Sequence, residues 1–182
     1  MDGVLWFLVF AALAAGVCGV AMIVASFMPS LAAKIEPIVA GQELWLGFGC
    51  AVGMMMGSLY MSQVKDFIPC QFCWYQRICA YPIVVVLIVA ALRKDYRSFL
   101  VSSILAGIGA CFSLYHIGIE RVDWFEKSTA CDINASCSLR WIEVGGARGA
   151  WYNITIPVMA LCGFLFIIGI GRLGSRAHQV EV

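Results

Sequence analysis

The sequence predicts an all-α membrane protein with five transmembrane helices, and two observations carry that prediction. Of 182 residues, 62% are hydrophobic and only 13% charged, with a mean hydropathy of +0.90. A water-soluble chain of this length would expose far more charge. The apolar residues also gather into five stretches that reach or approach the ~20-residue helix needed to cross a hydrocarbon core. The net charge of +1 gives no basis for a nucleic-acid partner.

The first stretch, Val4–Met28, follows Met1-Asp2-Gly3, which lacks the Lys or Arg of a secretory signal. Its apolar run also exceeds a signal core, so the expectation is a retained helix. Leu44–Met61 is the second span. Ile78–Leu92 is short alone, but Trp74 and Tyr75 extend it through the interface, where such rings settle. Phe99–Ile119 and Ile154–Ile170 complete the set. Between the last two runs the polar loop Glu120–Asn153. Its start places Ile119, Val122 and Phe125 at three-residue spacing, which fits either a short interfacial helix or an ordinary loop.

Two spans separate the loop holding Cys70 from the loop holding Cys131 and Cys137. An even number of crossings puts both loops on one face. The Lys and Arg residues divide equally between the two sides, although the short run Arg93-Lys94-Asp95-Tyr96-Arg97 favours its own side as cytoplasmic. Paired cysteines in polar loops persist outside the cytosol, so both cysteine loops are expected to be extracytoplasmic.

The nine cysteines fall into two groups. Cys18, Cys50, Cys79, Cys111 and Cys162 stand singly within apolar spans and read as small hydrophobes. Cys70, Cys73, Cys131 and Cys137 form two closely spaced pairs in or beside polar loops. A Cys-x-x-Cys pair can cycle between dithiol and disulfide. At the mouth of a span it can meet both a soluble thiol and a lipid-soluble carrier. A helix beginning near Cys73 would favour a thiolate there through its free N–H groups and dipole. Arg77, one turn on, would add a cation. The alternatives from these residues are a static disulfide clip or a four-cysteine zinc site. Cys131-Asp132-Ile133-Asn134-Ala135-Ser136-Cys137 reads as an exposed disulfide loop. His116 is either an interfacial cap or a pocket residue, and Arg77 is a functional candidate by its depth.

The run Pro69-Cys70-Gln71-Phe72-Cys73-Trp74-Tyr75-Gln76-Arg77-Ile78, followed by Tyr81-Pro82, resembles the signature of the DsbB/BdbC family of bacterial disulfide-bond-formation membrane proteins. Ser58-Leu59-Tyr60, Tyr115-His116, Cys137 with Trp141, and Ile156-Pro157 extend the resemblance over roughly residue 41 to the C-terminus. It implies a four-helix transmembrane bundle (41–182) plus one additional N-terminal transmembrane helix with its linker (1–40). The implied activity is a quinone-dependent protein-disulfide oxidoreductase of the bacterial cytoplasmic membrane, which reoxidises a DsbA-like thioredoxin-fold thiol oxidase and passes electrons to ubiquinone or menaquinone.

By motif position, the resemblance implies disulfides Cys70–Cys73 and Cys131–Cys137. Cys131 would take the partner's attack and Cys73 would deliver electrons to quinone. Arg77 and His116 would lie at the quinone, and no metal is required. Two features depart from the best-known relatives: the additional first span and the short five-residue gap between Cys131 and Cys137. A vitamin K epoxide reductase-like quinone reducer, a relay running in reverse, and a metal-binding or structural membrane protein are the alternatives.

Overall fold

A computed structural model of the chain describes residues 2–122, 124, 136–146 and 153–179, with side chains as far as Ser175. Among the described residues there are six helices, five of them long and apolar enough to cross a membrane, and no strand. They are α1 (Gly3–Phe27), α2 (Pro29–Val39), α3 (Glu43–Gln63), α4 (Gln71–Arg93), α5 (Ser98–Arg121) and α6 (Ile156–Gln179). The all-α membrane class is therefore correct, and each expected span coincides with one of the long helices, Met28, Ile154 and Thr155 alone falling outside their ends. Cys131 and Phe125 lie outside the described residues. Of the stretch after the fourth span that fits either a short interfacial helix or an ordinary loop, Ile119–Arg121 form the last turn of α5.

Helices α3, α4, α5 and α6 pack around one apolar core. Phe99, Phe164, Ile83, Leu87, Ile167 and Ile170 are fully buried in it. Gly109 on α5 leaves the space into which the Phe164 ring of α6 inserts. Bilayer lipid is as apolar as these side chains, so close packing rather than hydrophobic exclusion holds such helices together.

The first helix follows the same rule. It packs chiefly along α6, where Gly16 and Gly19 let the backbones approach. A Cβ at Gly19 would stand 2.5 Å from the Phe166 backbone nitrogen. At its N-terminus, Asp2 caps the helix by accepting from the Leu5 N–H at 3.1 Å. The other Asp2 oxygen accepts from the Tyr60 hydroxyl at 3.1 Å and pairs with Lys65. The Lys65 hydrogen bond holds the Asp2 carboxyl down at about 2, so the clip to the end of α3 is charged at every physiological pH.

The loops of functional interest meet at one end of the bundle. Asp66 adopts a left-handed conformation (φ 55°), which Asp tolerates well, and turns the chain from α3 toward α4. The long loop is tied down over the same end. Arg140 pairs with Glu143 at 2.9 Å and donates to the Glu120 carbonyl. Thr155 donates to the Glu120 carboxylate at 2.7 Å, Arg121 donates to the Asn153 carbonyl at 2.7 Å, and Val144 bridges Ile154.

Candidate active site

Pro69 offers no N–H and holds the preceding chain extended. Cys70 is extended in turn (φ −72°, ψ 174°), and the helix begins immediately after it. Cys70 is therefore the N-cap of α4, and its Sγ accepts from the Cys73 backbone N–H at 3.3 Å. This corrects the expectation of a helix starting near Cys73. The helix end acts on Cys70, the residue that faces its free N–H groups.

The two thiols are unbonded, with Sγ atoms 3.0 Å apart, close enough for one to donate to the other. That hydrogen bond from Cys73 is the largest cause holding the Cys70 thiol well below its ordinary value. Burial opposes the shift, and His116 assists it.

His116 joins the two cysteine loops. It is buried near the end of α5, with Nε2 3.5 Å from Cys70 Sγ and 3.1 Å from the Cys137 carbonyl. The Gln76 side-chain nitrogen lies 3.3 Å from Nδ1. An amide donating to Nδ1 leaves Nε2 carrying the proton, aimed at the Cys70 sulfur and the Cys137 carbonyl. Cys137 is disulfide-bonded, 1% exposed, and packs with Cys70 and Ile119 in a small cluster edged by Phe72 and Cys73. Its expected partner Cys131 lies outside the described residues.

Two cavities flank the thiols. The smaller, about 20 Å³, is bordered by Cys70, Cys73, His116, Glu120, Ser136 and Trp141 among others, and is large enough for one water. The larger, about 660 Å³, runs between α1, α3, α4 and α6 and includes Cys73, Gln76 and Arg77 in its lining. Cys73 borders both. Arg77 is fixed at the larger cavity by Ser58: Nε donates to Ser58 Oγ at 2.8 Å and a terminal nitrogen to the Ser58 carbonyl at 3.1 Å. Its guanidinium also lies 5.1 Å from the centre of the Trp74 ring. Phe67 and Trp141 stack at 5.0 Å, with Trp141 bordering both cavities and Phe67 the larger one.

Of the six residues singled out in the sequence, Cys70, Cys73, Arg77, His116 and Cys137 converge on one end of the bundle. His116, expected beside a quinone, sits on the side facing the Cys137 loop, whereas Arg77 and Cys73 face the larger cavity. Sequence reasoning gave no role to Gln76, Ser58 or Glu120. Gln76 is a polar residue on an apolar span and Ser58 stands 19 positions from Arg77, so the first was visible as an oddity and the second was not. Cys70, Cys73 and His116 also place three ligand atoms within 4.8 Å of one another, a set that could hold a soft metal ion.

Facing thiols at the mouth of a membrane-spanning helix, linked through a histidine to a disulfide-bonded loop cysteine, define a membrane thiol–disulfide oxidoreductase. The model of the family described as disulfide bond formation protein DsbB matches residues 42–171, and the chain belongs to that family. It is 39% identical over 125 residues to the probable disulfide formation protein C 1 of Bacillus cereus, covering 68% of this chain and 85% of the relative. It is 37% identical over 126 residues to the disulfide bond formation protein C of Bacillus subtilis, covering 69% and 86%. A probable disulfide formation protein of Deinococcus radiodurans is 32% identical over 133 residues, covering 70% and 85%. No solved structure matches.

Proposed function

We propose that the protein reoxidises a soluble, extracytoplasmic thioredoxin-fold thiol oxidase and passes the electrons through two cysteine pairs to a membrane quinone. The observation that carries this reading is the approach of Cys137 to Cys70 through His116, with Cys73 turned toward the large cavity.

In the proposed sequence, a thiolate of the reduced partner attacks Cys131 of a Cys131–Cys137 disulfide. A mixed disulfide forms and Cys137 leaves as the thiolate. The partner's second thiol then resolves the mixed disulfide and departs oxidised, leaving Cys131 and Cys137 reduced. Cys137 next attacks Cys70 of a Cys70–Cys73 disulfide, and Cys131 closes on Cys137 to regenerate the loop disulfide. The Cys70–Cys73 pair is thereby left as the dithiol.

His116 holds a proton between the two loops and stabilises the Cys70 sulfur as leaving group. A low-pKa thiolate leaves well, which suits Cys70 to this step. Closure of Cys70–Cys73 to the disulfide releases two electrons and two protons, and a quinone accepts both to become the hydroquinone. The lining fits such an acceptor: an apolar cavity of ligand size, with a fixed guanidinium and a thiol at one end. Arg77 orients the ring and Cys73 meets it, while the Phe67–Trp141 stack excludes water. A partner with a potential near −120 mV, the value for DsbA, requires a strong acceptor, and each ~30 mV of difference is worth ~1.4 kcal/mol.

The test is anaerobic quinone reduction by the purified protein with a reduced thioredoxin-fold oxidase as donor. Turnover that Cys73→Ser and Cys131→Ser each abolish supports the relay. No reduction of ubiquinone or menaquinone from several active donors would overturn it. The Cys70–Cys73–His116 cluster favours one other reading, metal handling by the reduced protein. Stoichiometric zinc in protein purified without chelator, lost in His116→Ala, would support that reading instead.

A further inference from the structure

The relay proposed above uses no residue of the first helix, and the matched family region begins after it, at residue 42. Its position suggests one. Packed along α6 and clipped through Asp2 to Tyr60 and Lys65 at the end of α3, it bridges two helices of the core. Between them it encloses the large cavity, to which it contributes Phe7, Ala11, Ala14, Ala15 and Cys18 at helical spacing. Without α1, the groove between α3 and α6 would face lipid along its length.

The cavity has a direction. Its polar lining, Ser58, Ser62, Gln76, Arg77 and Tyr81, gathers toward Cys73, and the opposite end is lined by apolar residues including Trp45, Leu46 and Phe166. From Ser62 to Leu46 the lining of α3 descends about 24 Å at the rise of an α-helix, most of the ~30 Å hydrocarbon core. A quinone ring needs only the end beside Cys73 and Arg77. The remaining length is mainly apolar, and it is continuous with the redox centre.

We propose that α1 is the outer wall of a channel that holds the polyprenyl tail of the quinone, so that the additional helix selects long-tailed acceptors. This rests on the quinone reading above. Beyond Phe7 and Leu8 the side chains of α1 that line the channel are small, Ala11, Ala12, Ala14, Ala15 and Cys18, which leaves width for a branched hydrocarbon chain. The occupant is a tail joined to a ring, rather than a free acyl chain, because the end of the channel that carries Arg77, Gln76 and the serine hydroxyls is the one that also carries Cys73.

The test compares two acceptors in nanodiscs containing the full chain: a tail-less benzoquinone and its long polyprenyl counterpart. Ala15→Trp fills the channel, and Val17→Trp, at a position outside the lining and 72% exposed, is the control. The expected result is a KM for the long-tailed quinone raised tenfold or more in Ala15→Trp, with the tail-less quinone unaffected and Val17→Trp like wild type. Unchanged long-tail kinetics in Ala15→Trp, the outcome if bilayer lipid fills the channel, would overturn the proposal. An equal loss with both quinones would overturn it too, since the substitution would then act on the redox end. Reduction of neither quinone by wild type would defeat the quinone reading itself. Photolabelling of wild type by a quinone with a diazirine at its tail gives an independent readout. Adducts on Ala11–Cys18 support the channel, and adducts confined to other helices contradict it.

Discussion

At the scale of single residues, the local geometry decides which thiol does what. The sequence made Cys73 the expected thiolate, but Pro69 brings Cys70 into the N-cap position, and Cys70 receives the Cys73 N–H, the Cys73 thiol and His116. A thiol whose pKa is held well below the ordinary value near 8.5 stays ionised at lower pH than a free cysteine. Alkylation of Cys70 in the reduced protein, followed by mass spectrometry, should therefore proceed at pH 6 nearly as fast as at pH 8. A rate that falls about a hundredfold over that interval would contradict the assignment. His116→Ala removes a hydrogen bond to a charged sulfur, worth about 1.5–3 kcal/mol. It should move the inflection up by roughly one to two pH units. Arg77→Lys keeps the charge but loses the two-pronged grip on Ser58. We expect the quinone KM to rise about tenfold, the loss of roughly one charged hydrogen bond. An unchanged KM would remove Arg77 from the quinone end. The cysteines and Arg77 were legible because a motif announces them. Ser58 and Glu120 were not, since their roles depend on partners 19 and 35 positions away.

Helices were the most legible part of the molecule, because bilayer thickness dictates their length. All five spans lie where apolar runs predict them, and the third extends back through Trp74 to Gln71, as its interfacial rings suggested. What the runs could not reveal is which helix touches which. Gly16 and Gly19 read as ordinary glycines of an apolar helix until α6 is seen against them. A side chain at Gly19 must displace the α6 backbone, and overpacking of that kind costs about 1–3 kcal/mol. Gly19→Leu should lower thermal stability in detergent accordingly, and Gly107→Leu, where a Cβ has open space, should not. Equal melting temperatures for Gly19→Leu and wild type would mean that α1 is not docked as described.

Across the whole molecule, two cysteine loops meet at one end of a membrane bundle. The span count already placed both loops on one face, and their convergence on His116 agrees with it. The long loop itself was unreadable beyond its cysteines, because its placement depends on Arg140, Thr155 and Arg121 gripping the end of α5. The central claim is that electrons leave through the Cys70–Cys73 pair to quinone. A single turnover tests it most directly. Fully reduced protein is mixed anaerobically with one equivalent of quinone, quenched in acid, alkylated and mapped. The account predicts one hydroquinone formed per protein, with the Cys70 and Cys73 thiols lost first and together. Hydroquinone formed while both of those thiols remain free, or no hydroquinone at all, would contradict it.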